Sequence, residues 1–486
     1  MSKFVYMKTK HSFQYWQWRV ILSSMIGYSI FYFVRKNFAF AMPSLGAEYG
    51  IADTKFGIIL TLGGILYGVS KLVNGMIADR ANARWHFAIG LSLTVLINFL
   101  FGWSADLSHW IIGADDGPDF VNGMFAAVAA LYLLNNIAQG SGVAPCNRLL
   151  VHWIPPKELA TKLSIWNTAH SVGGALVSIL CGAIIGSMGA NMSSDASIVA
   201  KIAGNMGKDV SDQAVVAAAS HVGAWQWCFW IPAFIGIAGI IFMWFAVRDT
   251  PKSVGLEELP DTKTEMDDND TKEGYRKFVR KMVFRNPIVW ALAIADIFVY
   301  VVRFAVFDWG PKFLTQGSQA LSPQLAGWTI AIFEICGIVG MLAAGYLTDH
   351  LFKSKGWRLS AIWMVLMAIC LLAIWLLPAN SNKAYMLILL GLTGFFLYGP
   401  QTLMGVSAAN QATKKAASAA VGFVGLVSYM ANLITGVGFG LMSDHFHDAF
   451  WDNLFIIMAG FAIAGAILLF FLWNIKDDGY IHEEDN

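Results

Sequence analysis

The sequence predicts an all-α membrane protein with twelve transmembrane helices in two six-helix halves. Of its 486 residues, 57% are hydrophobic and 13% are charged, whereas soluble domains carry nearer 25% charged residues. Twelve apolar runs of about 20 residues, the length that crosses a bilayer, are divided six and six by a polar segment. The first six and the last six of these runs also share sequence motifs.

Each predicted span is an apolar stretch bounded by polar residues. The spans lie near 19–41, 56–78, 86–104, 123–146, 162–186, 224–247, 286–308, 323–348, 359–378, 384–406, 416–442 and 452–475. They define an N-terminal half, 1–247, a linker, 248–285, and a C-terminal half, 286–486. Because the linker carries an acidic cluster and then a basic run, we expect a solvated cytoplasmic tether there.

The positions of Lys and Arg predict the orientation of the spans. With the N-terminus in the cytoplasm, every loop arginine lies on the cytoplasmic side, and the opposite loops keep only a few lysines. Such asymmetry is typical of inner-membrane proteins. We therefore expect both termini in the cytoplasm and two long outer loops, near 105–122 and 187–222.

The first span carries a basic pair inside an apolar run. Arg35 and Lys36 interrupt it, although a basic side chain at the membrane centre costs roughly 2.5–3.5 kcal/mol even on insertion scales. Tyr28, Tyr32 and Arg35 share one helix face, at positions i, i+4 and i+7. The pattern indicates an anion-binding face in a water-filled cavity.

The second half repeats this arrangement. A shift of 268 residues places Tyr32 on Tyr300 and Arg35 on Arg303. Asp296 lies one helical turn before Tyr300, so Asp296, Tyr300 and Arg303 form a second stripe. Duplicated six-helix halves with a site at the midplane are the arrangement expected of an alternating-access transporter.

Several motifs resemble known families. The run Gly75-Met76-Ile77-Ala78-Asp79-Arg80-Ala81-Asn82-Ala83-Arg84 resembles the cytoplasmic loop motif of the major facilitator superfamily. Five further segments resemble the organophosphate:phosphate antiporters of that superfamily: 31–38, 67–71, 166–174, 300–309 and 398–401. This family includes glycerol-3-phosphate and hexose-phosphate transporters and a hexose-phosphate sensor. The resemblance implies the major facilitator fold.

The resemblance also implies a substrate site. Arg35 and Arg303 match the paired arginines, one per half, that hold the substrate phosphate. The other matched positions are His170, with Asn167 one turn before it, the cavity-facing Lys71, and the cavity-lining Tyr28, Tyr32, Tyr67, Tyr300 and Tyr398. One departure is Val143, which stands where the glycerol-3-phosphate transporters have a tryptophan. This departure favours a sugar phosphate as the predicted substrate.

Plainer structural roles remain open for these residues. Arg35 and Arg303 could pair with internal carboxylates such as Asp296, Asp308 or Glu334, and Asp308 and Glu334 could orient Arg303 or bridge the seventh and eighth helices. Lys36 is either a ligand or a snorkelling side chain, and His170 could be a packed polar residue. Residues expected to serve gating or structure are Asp79, Arg80, Arg84, Asp308, Glu334 and Asp349.

The sequence thus predicts an inner-membrane antiporter that imports a hexose 6-phosphate or glycerol-3-phosphate in exchange for inorganic phosphate. The main alternative is a receptor that senses external hexose phosphate and signals to a kinase. A membrane phosphatase is a third possibility, but neither stripe offers a nucleophile. We expect a monomer in the lipid bilayer with no cofactor, no metal and no nucleic-acid partner. No Cys/His spacing indicates a metal site, and no phosphate-binding Gly-rich loop indicates ATP hydrolysis.

Overall fold

The structure is a computed structural model that describes residues 12–78, 80–113, 117–259, 272–317, 320–352, 355–378 and 381–475. Within these ranges the regular structure is helical, and no β-strand is formed. The helices of the first half are α1 Phe13–Tyr49, α2 Asp53–Ala78, α3 Ala83–Gly102, α4 Ser104–Ile112, α5 Gly117–Gln139, α6 Val143–Trp153, α7 Pro156–Asn167, α8 Ala169–Ile185, α9 Ala196–Met206, α10 Gln213–Ala219 and α11 Ala224–Ala246. Those that follow are α12 Lys272–Val279, α13 Pro287–Asp308, α14 Gly310–Gln316, α15 Pro323–Leu351, α16 Gly356–Trp375, α17 Lys383–Gln411, α18 Thr413–Ser428, α19 Phe439–Phe446, α20 Asp448–Asp452 and α21 Leu454–Phe471.

The predicted spans lie on these helices. Among the residues that the structure describes, eleven helical segments are long and apolar enough to cross a membrane, and they coincide with the second to twelfth predicted spans. The first predicted span lies within α1, which is 37 residues long and carries the basic pair. The fourth, fifth and eleventh spans are each built from consecutive helical segments. The predicted all-helical membrane fold is confirmed.

Contacts divide the chain into two compact units. The first contains Met1–Ala41, Leu62–Val177 and Gly223–Glu265, and the second contains Met42–Thr61, Ser178–Val222 and Met266–Asn486. The second unit therefore includes two segments that precede the linker. The predicted halves, 1–247 and 286–486, were defined by the sequence repeat, which is a different criterion, so they stay a prediction.

In the first unit, buried amides fasten α1 at the residue before Arg35. Asn98 of α3 and Asn135 of α5 both donate to the Val34 carbonyl oxygen, at 2.9 Å and 2.8 Å. Asn37 in turn donates to the side-chain oxygen of Asn98 at 2.7 Å. Since buried amides are costly unless they are hydrogen-bonded, these contacts fix α1 against two neighbouring helices and set the position of Arg35.

A glycine brings α8 into backbone contact with α1. A Cβ atom on Gly173 would lie 2.6 Å from the Ser29 carbonyl oxygen. One turn away, the Ser29 hydroxyl donates to the Ala169 carbonyl oxygen at 2.8 Å. This close approach holds the α8 residue His170 beside the tyrosines of α1.

In the second unit, α15 packs on α17, and α13 packs on α17, α18 and α21. The start of α2 is also held in this unit. The Asp53 carboxylate binds the Lys312 ammonium and accepts a hydrogen bond from Ser443. The Asp444 carboxylate accepts from the backbone N–H groups of Asp53 and Thr54, at 3.0 Å and 2.8 Å. Asp444 thus caps the N-terminus of α2, where a negative charge is favourable.

The long segment 187–222, predicted to be an outer loop, is a small helical substructure in the second unit. Its helices α9 and α10 bury four apolar side chains against Ala47: Ile202, Ala203, Val215 and Ala219. Lys208 forms an ion pair with Asp448 at 3.3 Å. Hydrogen bonds from the Ser197 hydroxyl and from the backbone N–H groups of Ile198 and Ser197 lower the pKa of Asp195, the N-cap of α9.

The linker contains short helical segments in its described parts. A 3-10 turn covers Pro251–Val254, α12 follows, and a π-helical turn at Arg280–Phe284 leads to α13. The basic run therefore lies on helical turns, and its side chains are exposed. That the linker is a solvated cytoplasmic tether stays a prediction. The acidic cluster near 265–270 lies outside the described residues.

Replacing Gly173 by Ala tests the contact between α1 and α8. Because the added methyl group would meet backbone atoms of Ser29, we expect a loss of about 1–3 kcal/mol of stability, measured as a lower thermal unfolding temperature in detergent. Gly68→Ala is the matched control, since no atom lies within 4 Å of its Cβ position. Equal melting of the two variants would contradict the contact.

Asn135 and Asn136 offer a matched test of the amide cluster. Asn135 bonds across to α1, whereas Asn136 donates to Tyr132 of its own helix at 2.9 Å. We expect Asn135→Ala to lose about 1–2 kcal/mol and to weaken phosphate binding severalfold, because Arg35 loses part of its support. Asn136→Ala should leave phosphate binding near wild type. Equal effects on binding would show that the bond to Val34 does not position Arg35.

Candidate functional site

In the first unit, Arg35 lies against aromatic rings. Its guanidinium carbon is 3.7 Å from the centre of the Tyr67 ring and 6.0 Å from that of Tyr32. The buried Tyr67 also interacts with Tyr28 and Lys71. A desolvated cation–π contact is worth about 2 kcal/mol, which offsets much of the cost of a basic side chain in a membrane helix. The guanidinium itself remains half-buried.

His170 joins the same aromatic group. Its ring is 6.1 Å from Tyr32, and Tyr28 stacks on Trp166 at 5.0 Å. His170 Nδ1 hydrogen-bonds to the carbonyl oxygen of Asn167, which fixes the orientation of the ring. The side chain of Asn167 is exposed. The structure thus brings together Arg35, Tyr28, Tyr32, Tyr67 and His170. That they bind a substrate stays a prediction.

The two lysines of this unit lie in different surroundings. Lys36 follows Arg35 on α1 and is half-buried. Lys71 is exposed and lines a cavity of about 420 Å³ between α2 and α6. Asn147, Arg148 and His152 share this cavity, and so does Val143. Val143, the position that departs from the glycerol-3-phosphate transporters, therefore lines a cavity.

In the second unit, Arg303 is also placed over tyrosines. Its guanidinium carbon is 5.7 Å from the ring of Tyr300 and 5.2 Å from that of Tyr398. The Tyr398 hydroxyl donates to Glu334 at 2.5 Å, and both side chains are 1% exposed. Glu334 of α15 is thus joined to Arg303 through Tyr398 of α17. In both units the arginine lies over the tyrosine that precedes it by three residues, as the repeat predicts.

Asp296 completes the second stripe and is deeply buried. It is 3% exposed, and the Ser428 hydroxyl hydrogen-bonds to its Oδ2. Tyr429, the next residue, has its ring 5.9 Å from that of Tyr300. Sequence reasoning missed Ser428 and Tyr429. The one signal in the sequence was that a serine and a tyrosine are adjacent in the apolar eleventh span. The repeat did not draw attention to them, because the corresponding positions of the first half carry no such pair.

Of the residues expected to serve gating or structure, Arg80, Arg84, Asp308 and Asp349 lie at or beside helix ends, whereas Glu334 lies within α15. Arg84 donates to the Trp244 carbonyl oxygen at the end of α11, and Arg80 and Asp349 are exposed. Asp308 is 8% exposed at the last residue of α13. Asp79 lies outside the described residues.

The described residues contain no group of three or more His, Cys, Asp or Glu side chains that could hold a metal ion. All five cysteines are free thiols. The donors that the arginine–tyrosine groups offer are guanidinium N–H groups and phenol hydroxyls, both of which can hydrogen-bond to an anion.

The chain is similar to curated transport proteins over most of its length. It is 31% identical to a probable hexose phosphate transport protein of Chlamydia pneumoniae, covering 96% of this chain and 93% of that protein. It is 31% identical to the glycerol-3-phosphate transporter of Bacillus subtilis (strain 168), covering 94% and 92%. It is also 32% identical to the membrane sensor protein UhpC of Escherichia coli (strain K12), again covering 94% and 92%.

Solved structures share the fold at low sequence identity. A bacterial homologue of the human lysosomal transporter Spinster matches with a TM-score of 0.67 and 16% identity, covering 96% of this chain and 97% of that one. A D-xylose–proton symporter matches with a TM-score of 0.64 and 14% identity, covering 93% and 97%. The model of the Major Facilitator Superfamily matches residues 24–380 and 315–480. The chain therefore belongs to the Major Facilitator Superfamily, as the motifs of its second span and its duplicated halves predict.

Proposed function

We propose that the protein is a secondary antiporter that imports an organic phosphate in exchange for inorganic phosphate by alternating access. One observation carries the proposal: each half places an arginine within an apolar helix and over tyrosine rings. The names of the similar proteins, two of them transporters of hexose phosphate or glycerol-3-phosphate, support this substrate class. The role is that of a carrier, not an enzyme.

The chemistry of the arginines fits a phosphate ligand. A phosphate monoester carries −1.5 to −2 charges near neutral pH, and a guanidinium offers two parallel N–H donors to its oxygens. The tyrosine faces hold Arg35 and Arg303 without neutralising them, since a ring quadrupole carries no net charge. That both arginines hold the same phosphate remains the prediction made from the sequence.

Exchange requires only that the organic phosphate and inorganic phosphate bind to the same site. Inorganic phosphate presents the same oxygens as the phosphate group of a sugar phosphate, so one site can serve both in turn. We place the protein in the inner membrane with both termini in the cytoplasm, because the loop arginines lie on that side in the twelve-span topology.

Among organic phosphates we favour a hexose 6-phosphate over glycerol-3-phosphate. Val143 lines the cavity that also contains Lys71, and a valine leaves room that a tryptophan would fill. A larger organic group is therefore more readily accommodated. A panel of organic phosphates competing against labelled phosphate uptake tests this preference directly.

A receptor is the second candidate. One of the similar proteins is named a membrane sensor protein, and its identity and coverage are within a few per cent of those of the transporters. Flux separates the two functions. Purified protein in vesicles that binds sugar phosphate yet exchanges no labelled phosphate would favour the receptor and end the antiporter proposal.

Arg35→Lys and Arg303→Lys test the phosphate contacts. An ammonium cannot reproduce the planar fork, so each variant should lose phosphate exchange by more than about tenfold while the protein stays folded. Arg276→Lys, on the exposed face of α12, is the matched control and should exchange normally. Wild-type exchange in both site variants would refute the role of the arginines.

His170→Ala tests recognition of the organic group. We expect competition by organic phosphates for labelled phosphate to weaken severalfold more than binding of phosphate itself, because His170 lies beside the Tyr32 ring rather than on the arginine. His350→Ala, at an exposed helix end, should change neither. An equal loss for both ligands would assign His170 to the phosphate group or to folding.

A further inference from the structure

The pair Asp296 and Ser428 has no role in the mechanism described so far. Both side chains are buried, at 3% and 0% exposure, within predicted membrane spans. Asp296 Oδ2 contacts the Ser428 hydroxyl. Asp296 Oδ1 has no hydrogen-bond partner in the described part of the chain.

The hydrogen atoms of this pair can be counted. The Ser428 hydroxyl also lies 2.7 Å from the Val424 carbonyl oxygen of its own helix. A hydroxyl has one proton to donate, and a carbonyl oxygen can only accept. If Ser428 donates to Val424, its contact with Asp296 is a hydrogen bond only when the Asp296 carboxyl carries a proton and donates it to Ser428 Oγ. Both short contacts are satisfied together only in the protonated form.

The charged surroundings do not supply a direct counter-ion. Arg303, seven residues further along α13, is near enough to interact electrostatically but forms no ion pair with Asp296. Helix α21, the π-helical turn Leu433–Gly438 and the described side chains of α18 contribute no ionisable group. The other elements packed on α13 do carry ionisable residues. These are Lys383, Tyr385 and Tyr398 on α17, Arg280 and Lys281 on the π-helical turn before α13, and Lys312 on α14.

We propose that Asp296 and Ser428 form a proton-binding site that controls the charge available to the phosphate ligand at Arg303. In its protonated form Asp296 is neutral, so it adds no negative charge that would repel an anion bound at Arg303. The proposal deepens the proposed function and rests on it only for the identity of the anion.

Release of the proton would convert Asp296 from a neutral carboxyl group to a charged carboxylate. The O–H bond of Asp296 breaks, the proton passes to water, and the electron pair stays on the carboxylate. The Ser428 hydroxyl can then turn from Val424 and donate to the carboxylate. Asp296 becomes a negative charge two helical turns from Arg303 that opposes binding of the phosphate anion.

Infrared spectroscopy tests the proton itself. Difference spectra of membranes taken from mildly acidic to alkaline pH should show the C=O band of a protonated carboxyl group in the wild type, and Asp296→Asn should remove it. Asp349→Asn, which changes an exposed carboxylate, should keep it. A wild-type spectrum identical to that of Asp296→Asn would overturn the proposal.

Binding of inorganic phosphate tests the coupling and requires no transport, so it stands even if exchange is not found. Comparing each variant with the wild type at every pH cancels the ionisation of phosphate. Asp296→Asn should bind at all pH values, whereas wild-type affinity should fall relative to it by up to about tenfold per pH unit. Folded Asp296→Asn protein that fails to bind phosphate would show that the ionised carboxylate is required, and would overturn the proposal.

Ser428→Ala tests the hydrogen bond. The variant removes both the acceptor of the protonated form and the donor to the carboxylate. Because the hydrogen bond to the charged carboxylate is the stronger of the two, the decline of phosphate binding should move to higher pH. The Ala variant should still bind phosphate at mildly acidic pH, which shows that it is folded. A decline at the wild-type pH would refute the assignment of the proton to the Asp296–Ser428 contact.

Discussion

The cost of holding a guanidinium inside an apolar helix is the constraint on which both candidate sites depend. A membrane offers no water to solvate the charge, and a carboxylate in direct contact would cancel it. The rings of Tyr67 and Tyr398 resolve this conflict, because they attract a cation without removing its charge. Such ring contacts let a guanidinium lie within an apolar helix, which the proposed anion binding requires.

The two halves support their arginines differently. In the first unit the support is neutral: amides of Asn98 and Asn135 hold the backbone next to Arg35. In the second unit the surroundings of Arg303 are acidic, with Glu334 bonded to Tyr398 and Asp296 on the same helix. A repeat in sequence has therefore diverged in electrostatics, because the second half has carboxyl groups on the arginine's own helix and bonded to one of its tyrosines.

Much of the fold could be predicted because it depends on local properties. Span length, the distribution of Lys and Arg, and the shift relating Arg35 to Arg303 are all visible along the chain. The aromatic partners on the same helix, Tyr32 and Tyr300, followed from helical periodicity. The bond from Asn135 to Val34 and the pairing of Ser428 with Asp296 could not be predicted, since they depend on which faces of distant helices meet. The helices α9 and α10 were missed because they are short and their apolar residues pack on Ala47, far away in sequence.

The cap on α2 has a consequence for how the chain is made. Asp444 bonds to the N–H of Asp53 across 391 positions of sequence, so the ribosome inserts the second span long before its cap exists. The segments 42–61 and 178–222 pack on each other and belong to the same unit as the part of the chain after the linker, so their contacts are complete only when that part has been synthesised. The early spans are therefore inserted with incomplete contacts. Translation of the last spans, rather than insertion of the first, completes the packing of the end of α1 and the start of α2.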